Sequence, residues 1–359
     1  MRMVEDILFV TDIDKKLSGG VKQLLYNILG LTSRGYKVYL ACRRESKLLD
    51  MARDSVEDVF YLEFENYRLD GKKLAEYIGL KQIDVVHTFH NKGHKVGLWA
   101  KIQQLGRFKL FVNRGVSFTP TNIFYYPHPK IDGFICNSKD VANKLGRIFI
   151  PKKKRNVIYN AFEMEVGDFH SSTLCNFNEN DGNKTRLVTI CNEAKWKGFD
   201  LTLKSLSKLT SDFRFYVIGM DEIAKFRQLV APHLEKNMEV LGRRTDIIPL
   251  LSKMDIFVYT PRAGDSCPNV ILEAMYGGLP VVATKVGGIP ELIVDGEGGF
   301  VAKNIKDIID NLELLIKNER LRKSMGEYNK KRVSFFSLER KIDSLIKVYN
   351  GETVWEDIE

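Results

Sequence analysis

Asp265 and Glu273 stand eight residues apart, at the two ends of a loop and the first turns of a predicted helix. An ionised carboxylate accepts two hydrogen bonds from a vicinal diol, so such a pair suits sugar hydroxyls. Between them lie Ser266, Pro268, Asn269 and Val270. Proline loses no hydrogen bond in a first helical turn and Ser266 can cap one, so a helix is expected to open at Cys267 or Pro268. The amides of Asn269 and Val270 then form its positive end, where an anion such as a diphosphate is favoured. The implied ligand carries both phosphate and sugar.

These residues need elements to hold them. The run from Asp255 to Thr260 predicts a strand before the loop. Gly277-Gly278 suits a left-handed cap after the helix, Leu279 to Ala283 reads as the next buried strand, and Gly287-Gly288 follows it. Strand, loop, helix and strand make half of an open parallel sheet, whose ligands bind beyond the carboxyl ends of the strands. The order of acid, seven residues, then Glu-Ala-Met, Gly-Xaa-Pro-Val-Val-Ala and Gly-Gly-Xaa-Pro-Glu across Pro261 to Leu292 resembles the nucleotide-sugar site of the retaining group 1 (family 4-like) glycosyltransferases.

The resemblance implies an α/β chain of GT-B architecture, with two Rossmann-like domains facing across a cleft. It implies sugar transfer from a nucleotide-diphosphate sugar, a UDP-sugar being the expected donor, to a hydroxyl acceptor. Glu273 is then expected to hold the ribose, Asp265 and the amides around Asn269 the donor sugar, and Lys197 the diphosphate. Fixed positive charge and helix dipoles stabilise a leaving diphosphate, so neither a metal nor a further cofactor is expected. Same-face attack needs no carboxylate nucleophile. The chain departs from the family at two points: Asp265 stands where Glu is usual, and Asn192 stands five residues before Lys197, where arginine is usual. Lys195 and the pair Arg243-Arg244 are candidates to supply that charge, and Gly219, at a strand end, allows close approach of a ring or ribose.

In the first half, Ile7 to Thr11 reads as a strand and about Val21 to Ser33 as a helix, joined by a loop ending Ser18-Gly19-Gly20. That loop lacks GxGxxG and the Walker lysine, so it supports neither a dinucleotide fingerprint nor a P-loop. Family members carry a similar Gly-Gly loop facing donor phosphates and acceptor. They also place a histidine after a later strand, which here, following Asp84 to Thr88, is His90. His87, His90 and His94 have no accompanying acids and no metal-ligand spacing, which argues against a metal. Arg114, where the strand Leu110 to Asn113 meets a loop, is a candidate contact for an acidic acceptor.

Two domains fit the length of 359 residues. The expected divisions are 1–162 for an acceptor domain, 163–185 for a polar linker, 186–338 for the nucleotide-sugar domain, and 339–359 for a terminal helix returning to the first domain. Apolar residues at 44% and charged residues at 28% describe an ordinary soluble globular protein. No apolar run approaches the ~20 residues of a membrane span, and no signal peptide is evident. Five scattered cysteines without CxxC spacing point to a reduced, cytoplasmic compartment.

Charge is unevenly shared. Residues 1–160 hold 28 Lys and Arg against 16 Asp and Glu, and residues 161–359 hold 27 against 30. A basic half, with the cluster Pro151-Lys-Lys-Lys-Arg155, suits an anionic membrane surface on the inner face of the cell membrane. Its aromatics do not interleave as in a nucleic-acid module, so no nucleic-acid partner is expected. The expected acceptor is a cell-envelope glycan, lipopolysaccharide or other polysaccharide, free or lipid-linked. A sugar-nucleotide epimerase of the same fold, using His90 and Asp265 for acid-base work, and a non-catalytic nucleotide-sugar-binding subunit of a membrane assembly are the alternatives.

Overall fold

The computed structural model describes residues 4–13, 18–103, 108–120, 125–163, 184–221 and 223–357. The chain divides into two compact units, Met1–Ala161 with Leu338–Asp357, and Phe162–Ser337. The polar linker, 163–185, falls almost wholly outside the described residues, as does Cys175; Cys42, Cys136, Cys191 and Cys267 are buried.

The first unit runs β1 (Asp6–Thr11), α1 (Gly19–Thr32), β2 (Lys37–Cys42), α2 (Lys47–Ala52), β3 (Asp58–Tyr61), α3 (Tyr67–Lys81), β4 (Val85–Phe89), α4 (Asn91–Gln103), β5 (Lys109–Arg114), β6 (Gly133–Cys136), α5 (Lys139–Gly146) and β7 (Arg155–Val157). Among the described residues its strands form a parallel sheet of order β3-β2-β1-β4-β5-β6-β7. The strands are continuous apolar runs such as DILFVT and KVYLAC because helices cover a parallel sheet on both faces. After β1 the chain moves to one side through β2, and it returns to the other side at β4. The switch point therefore lies between the carboxyl ends of β1 and β4, where Thr11 is in register with Phe89.

The second unit runs β8 (Thr185–Ile190), α6 (Phe199–Leu206), β9 (Phe213–Ile218), α7 (Pro232–Asn237), β10 (Met238–Gly242), α8 (Ile247–Leu251), β11 (Ile256–Tyr259), α9 (Asn269–Tyr276), β12 (Val281–Thr284), α10 (Ile289–Leu292), β13 (Gly299–Ala302), α11 (Ile305–Lys317) and α12 (Glu319–Arg332). Its parallel sheet has the order β10-β9-β8-β11-β12-β13, which puts its switch point between β8 and β11.

A last helix, α13 (Leu338–Asn350), belongs to the first unit and packs on α1. Ile342, Leu345, Val348 and Tyr349 join the core formed by Ile7, Phe9, Leu24 and Ile28. Beyond α13, Val354 O accepts from Val157 N, and Trp355 bridges to Val157 in parallel. Among the described residues, no helix is long and apolar enough to cross a membrane.

Several local expectations need correction. Gly19 and Gly20 are the first two residues of α1 and not a loop: Ser18 is the N-cap, and its Oγ accepts from Val21 N at 3.4 Å. The helix after Asp265 begins at Asn269, with Pro268 in the capping position, where its ring offers no hydrogen bond. Of its two terminal glycines, only Gly278 is left-handed, with φ 73°, while Gly277 remains helical. In the basic cluster after Pro151, Lys154 donates to the Pro129 and Ile131 carbonyls, Arg155 donates to Ala142 O, and Lys152 lies over the Trp355 ring. Those contacts tie the cluster to its own unit.

Candidate active site

At the second unit's switch point, the loop after β8 and the loop after β11 are joined by hydrogen bonds. Thr260 Oγ1 accepts from Thr202 Oγ1 at 2.7 Å and donates to Gly198 O at 2.9 Å, and Arg262 N donates to Trp196 O at 2.7 Å. Gly198 has φ 68°, and a Cβ there would lie 1.9 Å from Thr260 O, so only glycine lets the loops meet this closely. This approach carries Lys197 onto Asp265. The Lys197 ammonium donates to both Asp265 oxygens at 3.1 Å and to the Tyr259 hydroxyl at 2.5 Å, and that hydroxyl donates to Asp265 Oδ2 at 2.5 Å.

Lys197 and Asp265 are largely buried, at 16% and 10% side-chain exposure, and Tyr259 is fully so. Burial, reinforced by the Asp265 charge, holds the Tyr259 hydroxyl protonated well above its ordinary range. Lys197, expected from sequence to hold the diphosphate, thus already faces a carboxylate. Its charge is shared inside a closed trio, leaving a neutral cluster with polar atoms at the sheet's ligand edge. Tyr259 was not anticipated. Its one sequence signal is a hydroxyl at the end of the apolar run IFVY.

The neighbouring segments are drawn to the same place. Gly288 N donates to Asp265 O at 3.3 Å and Thr284 Oγ1 to Pro261 O at 2.6 Å, so the Gly-Gly turn after β12 lies against the acid loop. Ser266 and Pro268 are buried, and Asn269, Val270 and Glu273 are half-buried on the first turns of α9. Gly219, with φ 95°, directly follows β9, and its missing Cβ is explained by Cys191 O, 2.6 Å from where it would stand. Asn192 Oδ1 accepts from Ala194 N at 3.1 Å, shaping the turn into Lys197. The pair meant to compensate for it is already engaged: Arg243 faces Asp221 at 3.3 Å, and Arg244 grips Asp246 at 2.6 Å.

At the first unit's switch point, His90 follows β4 directly, with φ 61°, a left-handed conformation unusual for a residue bearing a Cβ. Its Nδ1 is 3.0 Å from Thr11 Oγ1 at the end of β1. Its Nε2 would lie 3.6 Å from a Cβ on Gly20. The ring thus faces the first turn of α1, and Gly19, Gly20 and His90 form one cluster. Burial lowers the His90 pKa against the opposing charge of Asp12, keeping a neutral imidazole there.

The other histidines have different surroundings. His87 is fully buried, and its Nδ1 meets the Tyr349 hydroxyl of α13 at 2.7 Å. His94 lies one turn into α4 and is also buried, and among the described residues neither ring nitrogen is hydrogen-bonded. Arg114 ends β5, donating to the Tyr126 hydroxyl at 3.0 Å and to Phe118 O at 2.6 Å.

Sequence profiles match both units: Glycosyltransferase Family 4 over residues 18–166 and Glycosyl transferases group 1 over residues 184–318. The chain belongs to the group 1 glycosyltransferases. An uncharacterized glycosyltransferase of Methanocaldococcus jannaschii is 30% identical over 230 residues, 63% of this chain and 61% of that protein, so the match spans under two thirds of that relative. The N-acetyl-alpha-D-glucosaminyl L-malate synthase of Bacillus anthracis is 23% identical over 97% of this chain and 92% of its own length. Among solved structures, Anabaena HepE in complex with UDP superposes with a TM-score of 0.82 at 18% identity, covering 96% of this chain and 99% of that one. The same protein is also known with UDP-glucose. The two parallel-sheet units and these likenesses establish the GT-B architecture.

Proposed function

We propose that this group 1 glycosyltransferase moves a sugar, with retention and without a metal, from a nucleoside-diphosphate donor to a hydroxyl of a cell-envelope glycan. The trio of Lys197, Tyr259 and Asp265 at the β8/β11 switch point, beside the first turn of α9, carries the reading. Glu273 holds the ribose diol. Asp265 and the amides around Asn269 take the donor sugar, and Gly219 admits the ribose or base. Lys197 turns part of its charge from Asp265 to the diphosphate. Ser266, Pro268 and Val270 shape the same pocket wall, and Arg243 adds charge at its rim only by exchanging Asp221 for a phosphate.

The bond from the anomeric carbon to the diphosphate breaks while the acceptor oxygen bonds to that carbon on the same face. The acceptor's proton passes to the departing phosphate. Lys197 and the α9 dipole stabilise the charge that develops there. Gly19, Gly20 and His90 serve the acceptor side, with neutral His90 a hydrogen-bond partner for a hydroxyl. UDP is the expected nucleotide because HepE, of like fold, was solved with it. An envelope glycan acceptor and a cytoplasmic, peripheral place on the inner membrane face are supported by the positive charge of residues 1–160.

A thermal-shift screen of nucleotide sugars tests this reading. One donor at a hundred times its Kd is expected to stabilise the protein by about 2–3 kcal/mol, an effect that Glu273→Ala abolishes. UDP release on addition of acceptor should survive EDTA. A protein that no donor stabilises would sink the assignment.

A further inference from the structure

We infer that the first unit holds a pocket for an acidic sugar, a ring bearing a carboxylate or phosphate, anchored by Arg114, Lys95 and His94. This deepens the proposed function, on which it rests, by naming the chemical class of the acceptor. The cavity has a volume of about 420 Å³, within the ~300–1,000 Å³ of small-molecule sites. Asn91, the residue after His90, is part of its lining, so it begins where the His90 cluster ends. Its walls combine these cations with Phe118, Tyr125 and Tyr126, flat apolar faces on which a sugar ring packs.

Three observations point to an anion. Lys95 lies over the rings of Tyr67 and Tyr125, at 5.8 and 5.4 Å. Arg114 lies over Tyr126 at 5.4 Å, and among the described residues its buried Nε has no hydrogen-bond partner. Among the described residues, neither cation is within ion-pair distance of a carboxylate, whereas Lys144 nearby is matched by Asp140 at 2.9 Å.

The third is His94. Among the described residues, both of its nitrogens are buried and unpartnered on a ring that lines the cavity, whereas in His87 only Nε2 is, Nδ1 meeting the Tyr349 hydroxyl. A buried polar group is ordinarily hydrogen-bonded, and an exception calls for an explanation such as strain, a functional role, or a water or ion bound there. A neutral imidazole offers one donor and one acceptor, which fits a sugar hydroxyl beside the anion. Each terminal nitrogen of the Arg114 guanidinium donates once, to Tyr126 or Phe118, and keeps a second N–H for a carboxylate or phosphate oxygen.

The test uses the full chain with glucuronate, glucose 6-phosphate and neutral glucose as probes. Binding is read from the ring signals of 15N-labelled histidines and by calorimetry. At least one acid is expected to bind tenfold or more tightly than glucose and to shift the His94 signals, identified by their loss in His94→Gln. Arg114→Gln should weaken that binding at least tenfold, and Lys95→Gln several-fold.

Glucuronate alone would identify a carboxylate sugar, glucose 6-phosphate alone a phosphorylated one. Acids that bind no better than glucose, that leave His94 unmoved, or that bind Arg114→Gln as tightly as wild type would overturn the inference. The wild-type histidine signals decide the matter even if Arg114→Gln does not fold. Since no donor is needed, loss of acid binding with donor binding intact condemns the pocket alone. Loss of donor binding with acid binding intact condemns only the donor reading.

Discussion

The two switch points solve the same problem of placing charge at a sheet edge in opposite ways. In the second unit, Lys197, Tyr259 and Asp265 satisfy one another before any ligand arrives. In the cavity beside the first, among the described residues, Arg114 and Lys95 face no carboxylate within ion-pair distance and neither His94 nitrogen is hydrogen-bonded. A closed trio keeps its geometry at all times and favours a ligand through fixed dipoles. An unsatisfied set waits for its counter-charge. The difference implies that removing a member of the trio damages the fold, and that removing a member of the unsatisfied set does not.

The largest expected effect is that of Asp265→Ala. It strands the Lys197 ammonium in a mostly buried place, and loss of roughly 3 kcal/mol in the urea transition of the second unit is expected. An unchanged transition would show that water already satisfies the lysine.

Next comes acid. Burial, then the nearby cation Lys341, pushes the His87 pKa down to about 3, and burial with Arg114 and Lys95 does the same to His94. In the unfolded chain a histidine takes up its proton near pH 6.5. Between the two values the unfolded state binds more protons, so stability is full at pH 7 and falls as the pH drops. From pH 7 to pH 5 each should cost on the order of 1–2 kcal/mol. Calorimetric scans of wild type at the two pH values measure the sum, and His94→Leu should remove about half of it.

Tyr259→Phe deletes one hydroxyl from the trio and should lower stability by about 1 kcal/mol. Smallest of all, His94→Leu at pH 7 should be neutral within about 1 kcal/mol or slightly stabilising, because it replaces an unpartnered polar ring by an apolar side chain. A loss as large as that of Asp265→Ala would erase the contrast and point to a hidden partner for the imidazole.

What was legible in the sequence follows from how each feature is encoded. The boundaries of β2 and β6 were readable because both are apolar runs set off by neighbouring polar residues or turns. The acid loop, α9 and the Gly-Gly turn formed a contiguous block, and topology brought them together as expected. β3, α3 and α4 were not read. α3 and α4 contain Gly71 and Gly97, which look like interruptions. In the structure they are contact points: a Cβ on Gly71 would lie 2.5 Å from the Trp99 Cβ, and one on Gly97 would lie 2.4 Å from Thr88 Cγ2. The trio was half legible. Lys197 and Asp265 could be chosen by type, but their contact, and the part of Tyr259 in it, depend on the order in which β8 and β11 pair.

The separation of α13 from the rest of its unit bears on how the protein is made. The segment that seals the first core, hydrogen-bonds His87 and places Lys341 Nζ 2.7 Å from Gln23 Oε1 is encoded after every residue of the second unit. On the ribosome, where domains ordinarily fold in the order of their emergence, Phe162–Ser337 is complete while the earlier unit still lacks a helix. The first part of the chain to be synthesised is thus the last to finish folding, and until it does, the apolar surface awaiting α13 is exposed to chaperones and proteases.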